Sequence, residues 1–397
     1  MNDAILVINS GSSSLKFAIL SGRGNTVIVE GIAEGLGFDN GRLSIKFNDK
    51  KALIKLSPSD HKSALIGINE WLEQHAEIKS ALVGVGHRVV HGGEFFSSSV
   101  IIDNTVIQTI HECTDLAPLH NPAHLKGIEV AQSLFPLLPQ VAVFDTAFHQ
   151  TLTETQYLYG IPLRLYRDHH VRKYGFHGTS YRYISQKLGE IKPESLHQGV
   201  LVAHLGNGAS VCAIANGKAT DTSMGLTPLD GLIMGTRSGS IDPSLIAFIS
   251  EKDQLSMSET MDVLNKKSGL LGISELSNDC RTLEEAMNTK NNKAQLALDM
   301  FASRTAKQLM SAATTLDTID HLVFTGGIGE NSQYIRHKVC EHLRAFNIKI
   351  DQTKNDSASK GDAALISDDN QALQVWIIPT NEEKMIALDT LNLITKN

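Results

Sequence analysis

Cysteine is scarce in this chain of 397 residues: Cys113, Cys212, Cys280 and Cys340 are widely scattered, with no C-x-x-C pair. That pattern excludes a disulfide scaffold and suits a reducing compartment. Basic charge is short as well, because 36 Lys and Arg stand against 43 Asp and Glu, for a net charge of −7. Without clustered Lys and Arg a nucleic-acid surface is not expected, and small-molecule partners are. No apolar run approaches the roughly 18 residues of a membrane span, and the opening residues lack the charged stretch and apolar core of a signal peptide. The expectation is a soluble, cytoplasmic protein with neither nucleic acid nor membrane as partner. A Walker phosphate loop is missing too, since no G-x-x-x-x-G-K-[ST] occurs.

What is present is core-forming material: 42% of residues are hydrophobic and 20% charged. The length exceeds the size at which one core keeps growing, so two domains are expected. Residues Ala4 to Asn9 and Leu15 to Leu20 are apolar runs around the turn Ser10-Gly11-Ser12-Ser13-Ser14, which reads as a hairpin. From Lys62 to Ala76 apolar residues recur three and four apart, which predicts an amphipathic helix. Val83 to Val90 and Gln140 to Phe144 read as strands, and Asn121 to Phe135 as a helix with proline in its first turn. Thr151 to Lys173 has no period and reads as a linker.

A second hairpin follows, with strands Gly199 to His204 and Val211 to Ala215 around Gly206-Asn207-Gly208-Ala209-Ser210. Displaced by 196 residues, Ser14 falls on Ser210, which points to duplication. Helical patterns then cover Pro243 to Lys252, Ser256 to Lys267, Arg281 to Leu316 with a break near Asn288 to Asn292, and Gln333 to Phe346. Strands Ile319 to Phe324 and Val375 to Ile378 and a last helix, Asn381 to Ile394, complete an α/β alternation.

Three Gly-rich turns, at Ser10 to Ser14, Gly206 to Ser210 and Gly326 to Gly329, follow apolar strands. Each is either a plain tight turn or a cradle whose N–H groups bind phosphate oxygens. The third carries G-x-G without the final glycine of a dinucleotide fingerprint. Arg88 and Arg237 lie in Gly-flanked loops, where a guanidinium forks onto carboxylate or phosphate, or else makes a surface ion pair. Asp145 ends an apolar strand and reads equally as a cap or a site acid. His177 is either structural or a donor to a phosphoryl group. His87 and His91 are four apart on a strand, a geometry that builds no zinc site. Glu382 and Glu383 complement a helix dipole or, in the right context, hold a metal.

Taken together these residues resemble the acetate kinase family nearly end to end. The matching stretches are NSGSSSLKF from Asn9, GHRVVHGG from Gly86, LAPLHNP from Leu116, FDTAFH from Phe144 and RKYGFHGTS from Arg172. Further on come HLGNGAS from His204, DTSMGLTPLDGLIMGTRSG from Asp221, NKKSGLLGIS from Asn265, FTGGIGENS from Phe324 and PTNEE from Pro379. The resemblance implies a duplicated two-domain, actin-like (ribonuclease H-like) α/β fold with its active site in the interdomain cleft. It places one domain at residues 1–150 plus 384–397. Residues 151–383 form the other, with most nucleotide contacts and the dimer interface of a homodimer. The implied reaction is reversible transfer of the ATP γ-phosphoryl group to acetate, giving acetyl phosphate and ADP. Mg2+ is the implied metal, with Mn2+ able to substitute, and the domains hinge near 150 and 383 to close over the substrates.

Position by position, the resemblance makes Asp145, His177 and Arg237 catalytic. Arg88, Val90, Leu119, Phe176 and Pro228 hold the substrate acid, with Val90 narrowing the methyl pocket. Ser12, Ser14 and Lys16 serve the first phosphate hairpin, and His204, Leu205, Gly206, Asn207 and Gly208 the second. Asp279, Cys280 and Arg281 contact the nucleotide, as do Gly327, Ile328, Gly329, Glu330 and Asn331. Asn9 and Glu382 serve the metal. Because acetate is already ionised at neutral pH, Asp145 is expected to position Arg237 or metal-bound water and not to remove a proton. Three positions depart from the family pattern: Tyr181 replaces a histidine, Ser240 an acid and Glu275 a glycine. The alternatives are a propionate or butyrate kinase of the same family, and a non-catalytic actin-like nucleotide-binding module.

Overall fold

The structure is a computed structural model that describes residues 3–21, 24, 26–118 and 120–395. It resolves into two compact units, Met1–Phe148 with Asn381–Asn397, and His149–Thr380.

The first unit is built on eight strands: β1 Ala4–Ser10, β2 Ser14–Ser21, β3 Val27–Glu34, β4 Arg42–Phe47, β5 Lys50–Lys55, β6 Leu82–Val89, β7 Val100–Ile101 and β8 Gln140–Phe144. Their order across the sheet is β5-β4-β3-β2-β1-β6-β8-β7. β1 pairs antiparallel with β2 and parallel with β6, which is in turn parallel to β8. β1 is apolar along nearly its whole length because helices cover both of its faces. Leu6 and Ile8 pack with Ala64, Ile68 and Ala131 of the helices His61–Glu73 and Asn121–Leu134. Ile5 and Val7, on the other face, pack with Ile386 and Ala387 of the last helix, Glu382–Thr395. That last helix lies so close to β6 that a Cβ on Gly86 would sit 2.5 Å from Thr390 Oγ1 and 2.6 Å from Ile386 Cγ2.

The second unit has six strands: β9 Gly199–Leu205, β10 Ala209–Ala215, β11 Lys218–Thr222, β12 His321–Thr325, β13 Ala364–Leu365 and β14 Gln374–Ile377. Their order is β11-β10-β9-β12-β14-β13. β9 is antiparallel to β10 and parallel to β12, and β12 is parallel to β14. The series β3-β2-β1-β6-β8 of the first unit therefore recurs as β11-β10-β9-β12-β14, with the same strand directions. Duplication, suggested by two similar hairpins, is thus present as topology. The helix Asn292–Ala313 packs on β9 and β10, burying Ala294, Leu298, Phe301, Thr305 and Leu309 at the three-and-four spacing of an amphipathic helix.

Several sequence expectations change. Gly326–Asn331 is a short helix entered through Gly326 at φ 76°, not an open turn. The linker Thr151 to Lys173 contains the short helices Glu154–Tyr157 and Arg164–His169. The helix Gly178–Ile191 was not anticipated, because it starts at His177 in a left-handed conformation (φ 57°) with no side-chain cap to signal it. The helix Asn104–Glu112 also went unread, although Asp103 caps it by accepting from Val106 N.

Candidate active site

In the first unit the parallel trio β1, β6 and β8 brings three side chains to neighbouring strand ends, the usual place for ligands in such sheets. Arg88 near the end of β6 meets Asp145 just past β8, donating from Nε to Oδ1 at 3.0 Å and from Nη2 to Oδ2 at 2.6 Å. Its Nη1 reaches Asn9 Oδ1 of β1 at 3.4 Å. The fork is bidentate, and Asp145 is only 1% exposed. Burial opposes the Arg88 charge, but Asp145 and Glu382 more than offset it and hold the guanidinium protonated. Within its unit the side chain that Asp145 orients is therefore Arg88.

Glu382 belongs to the same neighbourhood. Burial raises its pKa to about 7 against the pull of Arg88, with Asp145 and Glu383 adding to the rise and Lys16 opposing it. Asn9 and Lys16 are direct partners across the first hairpin, so both leave the same face of the sheet. The turn itself is closed by Gly11 N donating to Ser14 O at 2.7 Å, and His61 Nε2 lies 2.7 Å from Gly11 O. Ser12 is exposed and Ser14 half-buried. Val90 is buried in this unit, while Leu119 lies outside the described residues.

In the second unit the hairpin turn is one residue tighter, enclosing 206–208 between Leu205 and Ala209 where the first encloses 11–14 between Ser10 and Leu15. Two side chains reach its tip. A Cβ built on Gly208 would lie 3.5 Å from His177 Nε2 and 3.8 Å from Arg237 Nη1. Arg237 also donates to Pro228 O at 3.2 Å, and burial lowers its pKa. The His177 ring stacks on His204 at 4.2 Å, and Ser180 Oγ lies 2.8 Å from His204 Nδ1. Phe176 is buried, and its carbonyl lies 2.9 Å from His149 Nε2.

A cavity of about 520 Å³ opens in the same unit. Of the nucleotide residues read from the sequence it gathers Gly206, Asn207, Asp279, Cys280, Arg281, Gly327, Ile328 and Asn331. It does not include His204, Leu205, Gly208, Gly329 or Glu330. Glu330 instead accepts from Gly326 N and Thr380 N, so its carboxylate holds together the loop it sits in. Asp279 has a local task as well: it caps the helix Cys280–Asn288 by accepting from Arg281 N and Thr282 N. Asn278, Glu284, Ser332 and Lys360 complete the wall. Glu284 sits one helical turn after Cys280, a signal that could have been read. Lys360 is remote in sequence and had none.

A family model described as the acetokinase family matches residues 4–388. The chain belongs to the acetokinase family. Among acetokinase relatives, the acetate kinase of Chromobacterium violaceum is 47% identical over 394 residues, 99% of each chain. The crystal structure of a propionate kinase from Francisella tularensis superposes with TM-score 0.93 at 44% identity, covering 98% of this chain and 100% of that one. The Porphyromonas gingivalis acetate kinase superposes with TM-score 0.93 at 41% identity, covering 99% and 100%. This acetokinase is a kinase with the actin-like α/β fold of those structures.

Proposed function

We propose that this protein transfers the γ-phosphoryl group of ATP to acetate and runs the reverse reaction from acetyl phosphate and ADP. The observation that carries the reading is the placement of cationic and N–H donor side chains at the strand ends of one unit and at the hairpin turn of the other. Arg88, anchored by buried Asp145, supplies a fixed guanidinium in the first unit. His177 and Arg237 flank the Gly208 turn in the second. A carboxylic acid with a pKa of about 4 to 5 attacks phosphorus already ionised, so what the reaction requires is relief of repulsion between anions. Arg88 binds the acid's carboxylate, Asp145 keeps Arg88 extended, and His177 and Arg237 stabilise the oxygens of the transferring group. The 520 Å³ cavity holds the nucleoside end of ATP.

Mg2+, with Mn2+ as substitute, fits the donors Asn9 and Glu382: both are hard oxygen ligands, and the desolvated Glu382 carboxylate gains from a nearby cation. A bound ion of this kind offsets phosphate charge. Among the described residues no cluster of three or more His, Cys, Asp or Glu could hold a metal by itself, which suits an ion shared with substrate phosphates.

Propionate is the second reading, favoured by the Francisella neighbour. Val90 narrows the proposed methyl pocket, and one methylene is discriminated by only about 1 to 3 kcal/mol. A homodimer through the second unit is supported by the helix Ser244–Asp253, which buries none of its residues and exposes Leu245 and Phe248. Light scattering that returned a monomer mass would remove that proposal. A cytoplasmic setting is supported by four free, buried cysteines. Among the described residues no helix is long and apolar enough to cross a membrane. The functional reading is tested by trapping acyl phosphate with hydroxylamine from ATP and acetate, with Arg237→Ala as control. No trapped product from any short-chain acid would end it.

A further inference from the structure

Tyr181 stands where the resemblance leads to histidine as the expectation. It lies one helical turn after His177, on the helix Gly178–Ile191, and is fully buried. Its hydroxyl makes a short hydrogen bond with Ser210 Oγ. Ser210 Oγ, also fully buried, lies 2.8 Å from His177 Nδ1. The other ring nitrogen, Nε2, is the one at the Gly208 turn. Burial raises the Tyr181 pKa well above its usual 10, so the phenol keeps its proton.

Counting protons along this chain selects one arrangement. The phenol has a single proton, and Ser210 Oγ is where it can go. Ser210 then accepts from Tyr181 and directs its own proton to His177 Nδ1, which must carry a lone pair. With the proton on Nδ1 instead, Nδ1–H donates to Ser210 Oγ; then either Ser210 donates to Tyr181 and the buried phenol proton has no acceptor, or Ser210 accepts from both and its own buried proton has none, and each is costly. We propose that Tyr181 and Ser210 lock neutral His177 in the tautomer with its proton on Nε2, so that the ring presents an N–H donor at the phosphate turn. The left-handed backbone of His177 aims the ring, and the relay decides which nitrogen donates. Tyr181 is thus a positioning residue that acts through His177, and its catalytic consequence rests on the kinase reading above.

The test reads the tautomer directly. In the full-length protein labelled with 15N-histidine, a long-range 1H–15N correlation of His177, assigned by its loss in His177→Gln, is expected to show a pyridine-type Nδ1 and a pyrrole-type Nε2. Tyr181→Phe, which removes one oxygen, is expected to shift His177 toward a tautomer mixture. It should lower kcat by up to about tenfold, the worth of one such hydrogen bond, with KM for acetate unchanged. Ser210→Ala, which cuts the relay at its middle, is expected to shift the tautomer in the same way. Tyr181→His keeps a donor and is expected to recover kcat toward the wild-type value. A pyrrole-type Nδ1 in the wild type, or a Tyr181→Phe variant with unchanged tautomer, overturns the lock. So do Tyr181→Phe and Tyr181→His variants that are equally impaired, since packing and not the donor would then explain the loss. If the tautomer is as expected but the wild type makes no acyl phosphate, the lock stands and the kinase reading fails.

Discussion

The Arg88–Asp145 fork is the most consequential pair at the residue scale, because each partner is useful only while the other is present. Asp145→Ala leaves a guanidinium facing an empty buried position, and removing one member of such a pair costs about 3 to 5 kcal/mol. The expected outcome is a lower urea midpoint together with loss of most acyl phosphate formation. Asp145→Asn, which retains shape and one acceptor oxygen, should lose less stability than Asp145→Ala; equal midpoints for the two variants would contradict the fork's role. Val90 gives a second test at this scale. Val90→Ala should raise the propionate-to-acetate ratio of kcat/KM by up to about tenfold, the worth of roughly one methylene of space, and an unchanged ratio would displace Val90 from the methyl pocket. Ser240, where the resemblance leads to an acid as the expectation, has local partners of its own. Its hydroxyl donates to Asp230 Oδ1 at 2.6 Å and its Oγ accepts from Gly231 N at 3.0 Å, so an acid at 240 would face a second carboxylate.

At the scale of elements, the backbone shows what a side chain costs at Glu275, where the resemblance leads to glycine as the expectation. Glu275 closes the short helix Gly269–Ser274 at φ 53°, a left-handed cap that glycine adopts without a Cβ penalty. In return its carboxylate pairs with Lys293, but both side chains are exposed, and such pairs contribute little. Glu275→Gly is therefore expected to stabilise the protein by up to about 1 kcal/mol, a rise of roughly 2 to 4 °C in Tm for a unit of this size. A lower Tm on scanning calorimetry would mean that the Lys293 pair outweighs the strain. The same physics shows why the third glycine run was misread. Glycine marks freedom of the backbone, and Gly326 uses that freedom to enter a helix at φ 76° instead of forming an open turn.

Across the whole molecule, buried neutral histidines link stability to pH. His87 is 2% exposed and sits 2.6 Å, Nε2 to Oε1, from Gln140 in the centre of the first sheet. Burial pulls its pKa down to about 4, despite the hydrogen bond. In the unfolded chain it titrates near 6.5, so between those values the unfolded state binds a proton that the folded state does not. Stability is then complete above about pH 7 and falls as pH drops from 6.5 toward 4, by up to about 3 kcal/mol for this residue. His124, also buried, is shifted downward by burial and by Arg88, and acts in the same direction. Glu382, whose pKa burial raises to about 7, works in the opposite sense over this range, so the His87 part is read as a difference: between about pH 7.5 and pH 5 the change in urea midpoint should be more unfavourable in the wild type than in His87→Gln. A profile with the same slope in wild type and variant would exclude His87 as a source.

The alternation of strands and helices, the two hairpins and the ordered family motifs were determined by sequence alone, because hydrophobic period and turn chemistry are local properties of the chain. So were the residues that carry charge at strand ends. The partners of those residues were decided only by the tertiary structure. Asp145 meets Arg88 because β6 and β8 are adjacent and parallel, and Tyr181 meets Ser210 because its helix packs against β9, the strand paired with that of Ser210. The cavity of the second unit takes Lys360 into its wall from a distant segment. Strand order and helix placement set these meetings over tens of residues, and no local pattern encodes which buried donor will find which acceptor.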